Sequence, residues 1–336
     1  MVSSDEDMAP GPHASPPRTV GVVGAGLIGR AWALVFARAG CEVAVSDPCK
    51  QVRDALPELL TADARLLQRH ALLDDIDGTL ARIRIAIDIA DAVGDAELVQ
   101  ESGPEEVVIK RALFETLDRL APADAILASS TSAIVSSRFT EALPGRRRCL
   151  VAHPVNPPHL VPLVELCAAP WTASGIVDRC VELYRAVGQV PVRIEREVDG
   201  FVLNRLQGAV LAEAFRLVGD GVISAEDLDL TLSDGLGPRW SFLGPFATIE
   251  LNAPGGMPDY CERYTGFYRR LADDPPGTEA FEEANVARIL ARWPHEPDRQ
   301  RLRTATQARN ERLAALAAHK KIAAADASRT EHEPDA

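Results

Sequence analysis

The sequence predicts an α/β protein in which a doubly wound, mainly parallel sheet is followed by an all-helical C-terminal domain. Short apolar runs alternate with helical stretches from Thr19 to about Glu197, as in a parallel sheet covered on both faces. Beyond Gly200, apolar residues recur at helical spacing and no strand-like run returns. We therefore expect a first domain over 19–199 and a helical domain over 200–319.

The first ordered unit predicts strand, tight turn, helix and strand. Thr19–Val23 is short, β-branched and apolar, and the glycine-rich run Gly24–Gly29 follows it directly. Arg30–Arg38 has helical apolar spacing, and a second strand over Glu42–Ser46 ends at Asp47. This is the βαβ unit of a Rossmann domain, with an acidic residue at the tip of its second strand.

The glycine run has the spacing that dinucleotide binding requires. Gly24 permits the turn, Gly26 lets the backbone approach a pyrophosphate, and Gly29 lets the helix pack closely on the strand. The helix then begins at Leu27 and Ile28, whose N–H groups would face the phosphates. A glycine-rich turn without a ligand is the alternative interpretation.

Asp47 lies about 20 residues after the glycines, where a carboxylate would bind the adenosine ribose hydroxyls and repel a 2′-phosphate. The cofactor expected is therefore NAD rather than NADP, although the nearby Lys50 weakens that preference.

The remaining elements extend the same pattern. A helical hairpin or excursion is expected from Val52 to Arg84. Further strands are predicted at Leu98–Gln100, Ala125–Ser129, Cys149–Ala152 and Val161–Leu166. In the second domain, helices are predicted from Phe201 to Leu217, after a capping box at Ser224, and from Val286 to Leu316. Residues 1–18 and 320–336 are polar, and we expect a disordered leader and tail.

Composition excludes several classes of protein. The chain has 336 residues and a formal net charge of −13, which argues against a nucleic-acid partner. No apolar segment of the leader resembles a secretory signal or a membrane anchor. The six cysteines form no CxxC pair, so neither a metal site nor a disulfide framework is expected, and the thiols indicate a cytoplasmic protein.

His153 and Glu165 are the candidate catalytic pair. His153 follows a predicted strand in the proline-rich segment Ala152–Pro158, at the sheet edge where ligands bind in this fold class. Glu165 stands in an apolar strand, where an unpaired carboxylate would be costly to bury. A histidine would keep Glu165 ionised while Glu165 orients the imidazole as a general base. A structural ion pair is the alternative.

Two polar residues are candidate contacts to a substrate oxygen. Ser132 belongs to a hydroxyl-rich turn that closes a predicted strand and starts a helix, so it either caps that helix or binds a ligand. Asn204 is expected in the first turn of the helix that opens the second domain, where its amide either polarises a carbonyl or caps the helix.

Taken in order, these motifs resemble the 3-hydroxyacyl-CoA dehydrogenase superfamily from Thr19 to about Leu316. They are most similar to its lambda-crystallin branch, which oxidises the free sugar acid L-gulonate and needs no CoA. The similarity is carried by Ala152–Pro158 with Pro162–Leu166, by Gly200–Gln207, by Asp227–Leu230 and by Gly235–Trp240.

The resemblance implies roles for particular residues. His153 is then the base and Glu165 its orienting partner, with Ser132 and Asn204 on the substrate oxygen. Cofactor contacts are implied for Glu101, for Glu106 by position only, and for Asn156 near the nicotinamide. A homodimer formed through the helical domain is also implied.

The expected reaction is NAD-dependent oxidation of a 3-hydroxy acid to the 3-keto acid, with L-gulonate or a related small free acid as substrate. Arg239 either binds the substrate carboxylate or forms a salt bridge. A 3-hydroxyacyl-CoA dehydrogenase and a carnitine 3-dehydrogenase are the enzymatic alternatives, the latter because Trp240, Tyr260 and Tyr264 would suit a trimethylammonium group. A crystallin-like structural protein is the non-enzymatic alternative.

Overall fold

The computed structural model describes residues 15–292 and 298–330, which pack as two compact units. The first contains the residues up to Val202 together with those from Arg299 onward, and the second is Leu203–Asp298. The chain thus crosses into the second unit close to the expected boundary at residue 200. It returns to the first unit earlier than residue 319, where we expected the helical domain to end.

The first unit is built on one eight-stranded sheet. Its strands are β1 (Thr19–Val23), β2 (Glu42–Ser46), β3 (Ile83–Ile85), β4 (Leu98–Glu101), β5 (Ile126–Ser129), β6 (Cys149–Pro154), β7 (Leu163–Ala168) and β8 (Val190–Ile194). They lie in the order β3-β2-β1-β4-β5-β6-β7-β8, and every pair is parallel except β6 with β7. The predicted Rossmann sheet, mainly parallel, is confirmed.

The helices of the first unit cover the sheet and close the chain. They are α1 (Leu27–Arg38), α2 (Lys50–Arg69), α3 (Ile76–Ala81), α4 (Ile89–Val93), α5 (Val107–Leu120), α6 (Ser137–Thr140), α7 (Ser174–Ala186) and, after the second unit, α14 (Arg299–Thr330). A 3-10 turn over Arg146–Arg148 precedes β6. Trp32 and Phe36 of α1 stack with ring centroids 5.3 Å apart and are fully buried. Tyr184 of α7 packs against both rings, so α1 is held inside the unit.

The described part of the second unit is helical, as predicted. It comprises α8 (Leu203–Gly219), α9 (Ala225–Leu230), α10 (Gly237–Trp240), α11 (Pro245–Glu250), α12 (Gly256–Ala272) and α13 (Glu283–Arg292). The Ser224 side chain caps α9 by accepting a hydrogen bond from the Asp227 N–H, as the capping box predicts. A π-helical stretch, Thr231–Leu236, joins α9 to α10.

Some predicted elements differ from the observed ones. The stretch Val52–Arg84 contains α2 and α3 but ends in the unpredicted strand β3, and β8 was also missed. The disordered tail expected over 320–336 is wrong as far as Thr330, which ends α14, and 331–336 lie outside the described residues. Of the expected leader, 1–14 lie outside them too, whereas the Arg18 N–H binds the Glu97 carboxylate at 3.1 Å.

Candidate active site

The glycine-rich turn forms a backbone cradle at the carboxyl end of β1. Gly24 has φ +95°, and a Cβ there would lie 2.6 Å from the Ser102 carbonyl oxygen. A Cβ on Gly29 would lie 1.8 Å from the Gly24 carbonyl oxygen, whereas one on Gly26 would have nothing within 4 Å. Gly24 and Gly29 therefore serve packing within the chain. Gly26 leaves open space in front of the backbone.

That open space lies at the N-terminus of α1. Gly26 is the N-cap residue, and it has no side chain with which to cap the helix. The first helical bond is donated by the Arg30 N–H to the Gly26 carbonyl at 3.0 Å, so the N–H groups of Leu27 and Ile28 precede it. A helix N-terminus fronted by open space fits an anion such as a diphosphate.

Asp47 lies at the tip of β2 beside this cradle. Its Oδ2 accepts from the Ala25 N–H and its Oδ1 from the Cys49 N–H, both at 2.8 Å. These bonds fix the carboxylate against the glycine turn. Lys50 forms an ion pair with Asp54, 2.6 Å between Nζ and Oδ2. The positive charge of Lys50, which would favour the 2′-phosphate of NADP, is therefore already engaged by Asp54. The surroundings of Asp47 suit ribose hydroxyls rather than a 2′-phosphate.

His153 and Glu165 face each other across β6 and β7, the one antiparallel pair in the sheet that the described residues form. They are register partners in β6 and β7, and His153 Nδ1 lies 2.7 Å from Glu165 Oε2. Exposed fractions of 6% for His153 and 2% for Glu165 make this a buried pair. Because a carboxylate only accepts, Nδ1 carries the hydrogen, and Nε2 is left with the lone pair that a base needs.

A strained turn completes the surroundings of this pair. Gly200 has φ +76° and Phe201 has φ +51°, a conformation that a bulky residue rarely adopts. The turn directs the Val202 N–H at Glu165 Oε1, 3.0 Å away, and stacks the Phe201 ring on His153 with centroids 5.4 Å apart. These two contacts hold the carboxylate and the imidazole in place, and they help to offset the strain of the turn, which costs on the order of 1–3 kcal/mol.

Glu101 ends β4 inside a second buried cluster. Lys110 Nζ lies 3.0 and 3.1 Å from its two carboxylate oxygens. The Ser129 hydroxyl donates to Glu101 Oε2 at 2.5 Å, and the Gly103 N–H donates to Oε1 at 2.6 Å. Glu101 has no exposed surface, which argues against the direct cofactor contact expected from the resemblance. The hydrogen bonds of Glu101 instead suit a structural role, in which its carboxylate holds the ends of neighbouring strands together.

Glu105, which sequence reasoning missed, holds the turn that carries Ser132. Its Oε1 accepts from the Thr131 hydroxyl at 2.5 Å, from the Ser132 N–H at 2.9 Å and from the Ala133 N–H at 3.0 Å. The Ser132 hydroxyl lies 3.3 Å from the same oxygen. Partial desolvation opposes ionisation of Glu105, but these hydrogen bonds and the nearby Lys110 charge keep its pKa below the usual value.

The other expected site residues are less constrained. Ser132 is exposed and lies in a bend; α6 begins only at Ser137, so the helix start expected at Ser132 is wrong. Asn156 is exposed in the loop after β6, and Glu106 is the exposed N-cap residue of α5. In the second unit, Asn204 is in the first turn of α8, as expected, and Arg239 is exposed on α10.

The structure offers neither a metal cluster nor a membrane-spanning helix in the part of the chain that it describes. Within residues 15–292 and 298–330, no group of three or more His, Cys, Asp or Glu side chains is placed to hold a metal ion. No helix in that part of the chain has the length and apolar character needed to span a membrane.

The cradle, the carboxylate at the tip of β2 and the buried His–Glu pair define an NAD-dependent dehydrogenase. Residues 19–198 match the NAD-binding domain of 3-hydroxyacyl-CoA dehydrogenase, and residues 200–287 match the C-terminal domain of that enzyme. The chain therefore belongs to the 3-hydroxyacyl-CoA dehydrogenase family and is an oxidoreductase that uses NAD.

Similar proteins differ in what their names say about substrate. A lambda-crystallin homolog from Bos taurus is 50% identical over 83% of this chain and 87% of its own. An L-carnitine dehydrogenase from Streptomyces griseus is 37% identical over 80% of this chain and 81% of its own. A solved 5-formyl-3-hydroxy-2-methylpyridine 4-carboxylic acid 5-dehydrogenase, an NAD+-dependent dismutase, has a TM-score of 0.74 and 28% identity, with 89% of this chain and 97% of that chain covered.

Proposed function

We propose that the protein oxidises the 3-hydroxyl of a small free hydroxy acid, L-gulonate or a related sugar acid, to the 3-keto acid. The observation that carries this proposal is the buried 2.7 Å contact between His153 Nδ1 and Glu165, which presents Nε2 as a base at the end of β6. Family membership supplies the class of reaction. The residues below supply the choice of substrate.

In the proposed mechanism, His153 Nε2 takes the proton of the substrate hydroxyl. Glu165 stabilises the resulting imidazolium and prevents the ring from turning, because the Val202 N–H fixes its other oxygen. NAD+ bound here would supply the acceptor for the hydride that leaves the carbon bearing the hydroxyl. The residues that fit NAD are the Gly26 cradle, the N–H groups of Leu27 and Ile28, and Asp47, with Asn156 proposed near the nicotinamide.

Ser132 and Asn204 are proposed to hold the substrate oxygen as it becomes a carbonyl. A hydrogen bond that strengthens as charge develops on that oxygen lowers the barrier rather than merely improving binding. Glu105 supports this role of Ser132, because it fixes the backbone on both sides of the hydroxyl.

Arg239 is proposed to bind the carboxylate of a free acid. A guanidinium binds a carboxylate with two parallel hydrogen bonds, whereas a thioester offers it no such charge. Arg239 is exposed and so remains accessible to a ligand. For carnitine, which also has a carboxylate, the evidence is different: the Tyr260 and Tyr264 ring centroids are 4.6 Å apart, so these two rings pack on each other and do not enclose a trimethylammonium group between them.

The helical unit is proposed to form a homodimer. Many of its large apolar side chains are exposed, among them Leu206 at 60%, Phe246 at 74% and Phe267 at 47%. Large apolar side chains left exposed in such number are typical of surfaces that bind another chain. The resemblance to a dimeric family supports the same assignment.

Initial rates of NADH formation test the proposal, with L-gulonate, L-carnitine and L-3-hydroxybutyryl-CoA offered in parallel. We expect turnover of L-gulonate, its loss in His153→Ala, and an increased KM for L-gulonate in Arg239→Met. Arg301→Met, which replaces an exposed arginine of α14, serves as the matched control. Turnover of the CoA ester or of carnitine in place of L-gulonate would overturn the substrate assignment, and full activity of His153→Ala would overturn the base.

A further inference from the structure

A chain of polar side chains lies directly behind the glycine turn. The Ser130 hydroxyl accepts from Trp32 Nε1 at 3.1 Å and from Gln100 Nε2 at 2.7 Å, and it lies 3.0 Å from the Ser102 hydroxyl. The Tyr184 hydroxyl binds the Gln100 side-chain oxygen from the other side. We call these five residues the Ser130 cluster.

The direction of each hydrogen bond follows from which groups can donate. An indole N–H only donates, and Gln100 turns its NH₂ toward Ser130 because its oxygen accepts from Tyr184. Two donors occupy the lone pairs of Ser130 Oγ, so the Ser130 proton must go to Ser102. The proton of Ser102 is then directed out of the cluster.

Ser102 packs against the cradle. Its carbonyl oxygen would be 2.6 Å from a Cβ on Gly24, and its own Cβ would be 3.3 Å from a Cβ on Gly29. It follows β4, on the opposite side of β1 from β2 and Asp47. Unlike the fully buried Glu101 before it, Ser102 is only half-buried. A coenzyme lying over Gly26 therefore passes beside this hydroxyl, away from the adenosine end.

We propose that the Ser102 hydroxyl is a coenzyme-binding group that donates a hydrogen bond to an oxygen of the NAD diphosphate or of the nicotinamide ribose. Trp32 and Gln100 set the direction of that bond through Ser130. Oriented donors lose little freedom on binding, so the contact contributes to affinity. The inference concerns the coenzyme alone and is independent of the substrate proposed above.

Binding measurements by titration calorimetry, made without substrate, test this inference on Ser102→Ala. We expect the Kd for NAD+ and for ADP-ribose to increase about fivefold, the effect of one hydrogen bond, and the Kd for AMP to stay unchanged. ADP separates the two acceptors: weaker ADP binding assigns the diphosphate, and unchanged ADP binding assigns the ribose.

Two further results would overturn the inference. One is unchanged affinity of Ser102→Ala for both NAD+ and ADP-ribose. The other is an equal loss for AMP, which would mean that the substitution acts through the fold. Thr116→Ala is the matched control, because within the described part of the chain this partly buried hydroxyl on α5 binds its own helix, 3.0 Å from the Ala112 carbonyl. The melting temperature of each variant without ligand shows that both are folded.

Discussion

Helices α1 and α12 show how differently the two units bury their surface. Eight of the 12 residues of α1 are buried, including Trp32 and Phe36, and the helix is surrounded by its own domain. None of the 17 residues of α12 is buried, although it carries Tyr260, Tyr264 and Phe267. The first unit therefore buries most of its large apolar side chains within one chain, whereas the second leaves several of its own exposed.

The same contrast divides the candidate site. His153, Glu165 and the glycine turn are fixed by buried contacts inside the first unit. Asn204 and Arg239 belong to the second unit, where Arg239 is exposed. We propose that coenzyme binding and the catalytic base depend on the first unit, and that the second unit contributes substrate contacts through Asn204 and Arg239 together with the assembly of chains. The predictions below test that division.

The largest loss of coenzyme affinity is expected at Gly29. A Cβ there would lie 1.8 Å from the Gly24 carbonyl oxygen, so Gly29→Ala must displace the backbone of the cradle. We expect NAD+ affinity to fall more than 100-fold, on the order of 3 kcal/mol, together with a lower melting temperature. Gly26→Ala is the matched variant: its Cβ meets no protein atom, so it should weaken NAD+ binding without destabilising the protein. Equal melting temperatures for the two variants would contradict this assignment.

Glu165→Gln is expected to reduce kcat about 100-fold. The amide keeps the shape of the side chain but no longer stabilises a charged imidazolium, so proton transfer to His153 becomes harder. Steady-state kinetics should show this loss in kcat, and fluorescence titration should show an unchanged Kd for NAD+. If only NAD+ affinity fell, Glu165 would be a structural residue.

His159 gives a prediction for the pH dependence of stability. Its ring is 3% exposed, and neither ring nitrogen has a hydrogen-bond partner among the residues that the structure describes. Burial, reinforced by the Arg38 and Arg30 charges, lowers the pKa of His159 from 6.5 to about 3. In the unfolded chain His159 therefore binds a proton below pH 6.5, whereas in the folded chain it stays neutral down to about pH 3. This difference in proton binding lowers the free energy of unfolding as the pH falls from 6.5 toward 3, by about 2–3 kcal/mol between pH 6.5 and 4.5.

His159→Phe should remove this contribution and leave stability at pH 7 equal or higher, because the orphaned nitrogens disappear. Urea unfolding at pH 7, 5.5 and 4.5 measures the slope. A variant with the same slope as the wild type would contradict the buried, neutral state of His159.

The smallest change in activity is expected from a charge placed on α12. Phe267→Asp should shift a dimer toward monomers, because an interface does not accommodate an unpaired carboxylate. Sedimentation velocity measures the shift, and NAD+ affinity should stay within about twofold. An unchanged sedimentation coefficient would show that α12 is not part of an interface between chains.

The strands that the sequence predicts well are those buried on both faces. Thr19–Val23 and Glu42–Ser46 agree with the structure because their apolar runs are continuous. β3 was missed because it has three residues, none of them buried, and follows a charged helix. β8 is an edge strand interrupted by Pro191.

In the candidate site, local sequence patterns pointed to His153, Glu165 and the glycine turn. They did not predict the side-chain contacts that form only when the chain folds. Nothing in the sequence shows that Lys110 of α5 reaches back to Glu101 at the end of β4, because that contact depends on how the helix packs on the strand. Nor does it show that Glu105 reaches forward to Ser132, because that contact depends on the pairing of β4 with β5. The tail was expected to be disordered from its polar composition. Its alanines favour helix, and Glu311 anchors it through His70 at 2.8 Å.

The most direct test of the central claim is the kinetics of His153→Asn with L-gulonate, measured beside its NAD+ affinity. If His153 Nε2 is the base, kcat should fall by about 10³-fold while the Kd for NAD+ stays within twofold of the wild type. Turnover of the variant within tenfold of the wild type would contradict the account.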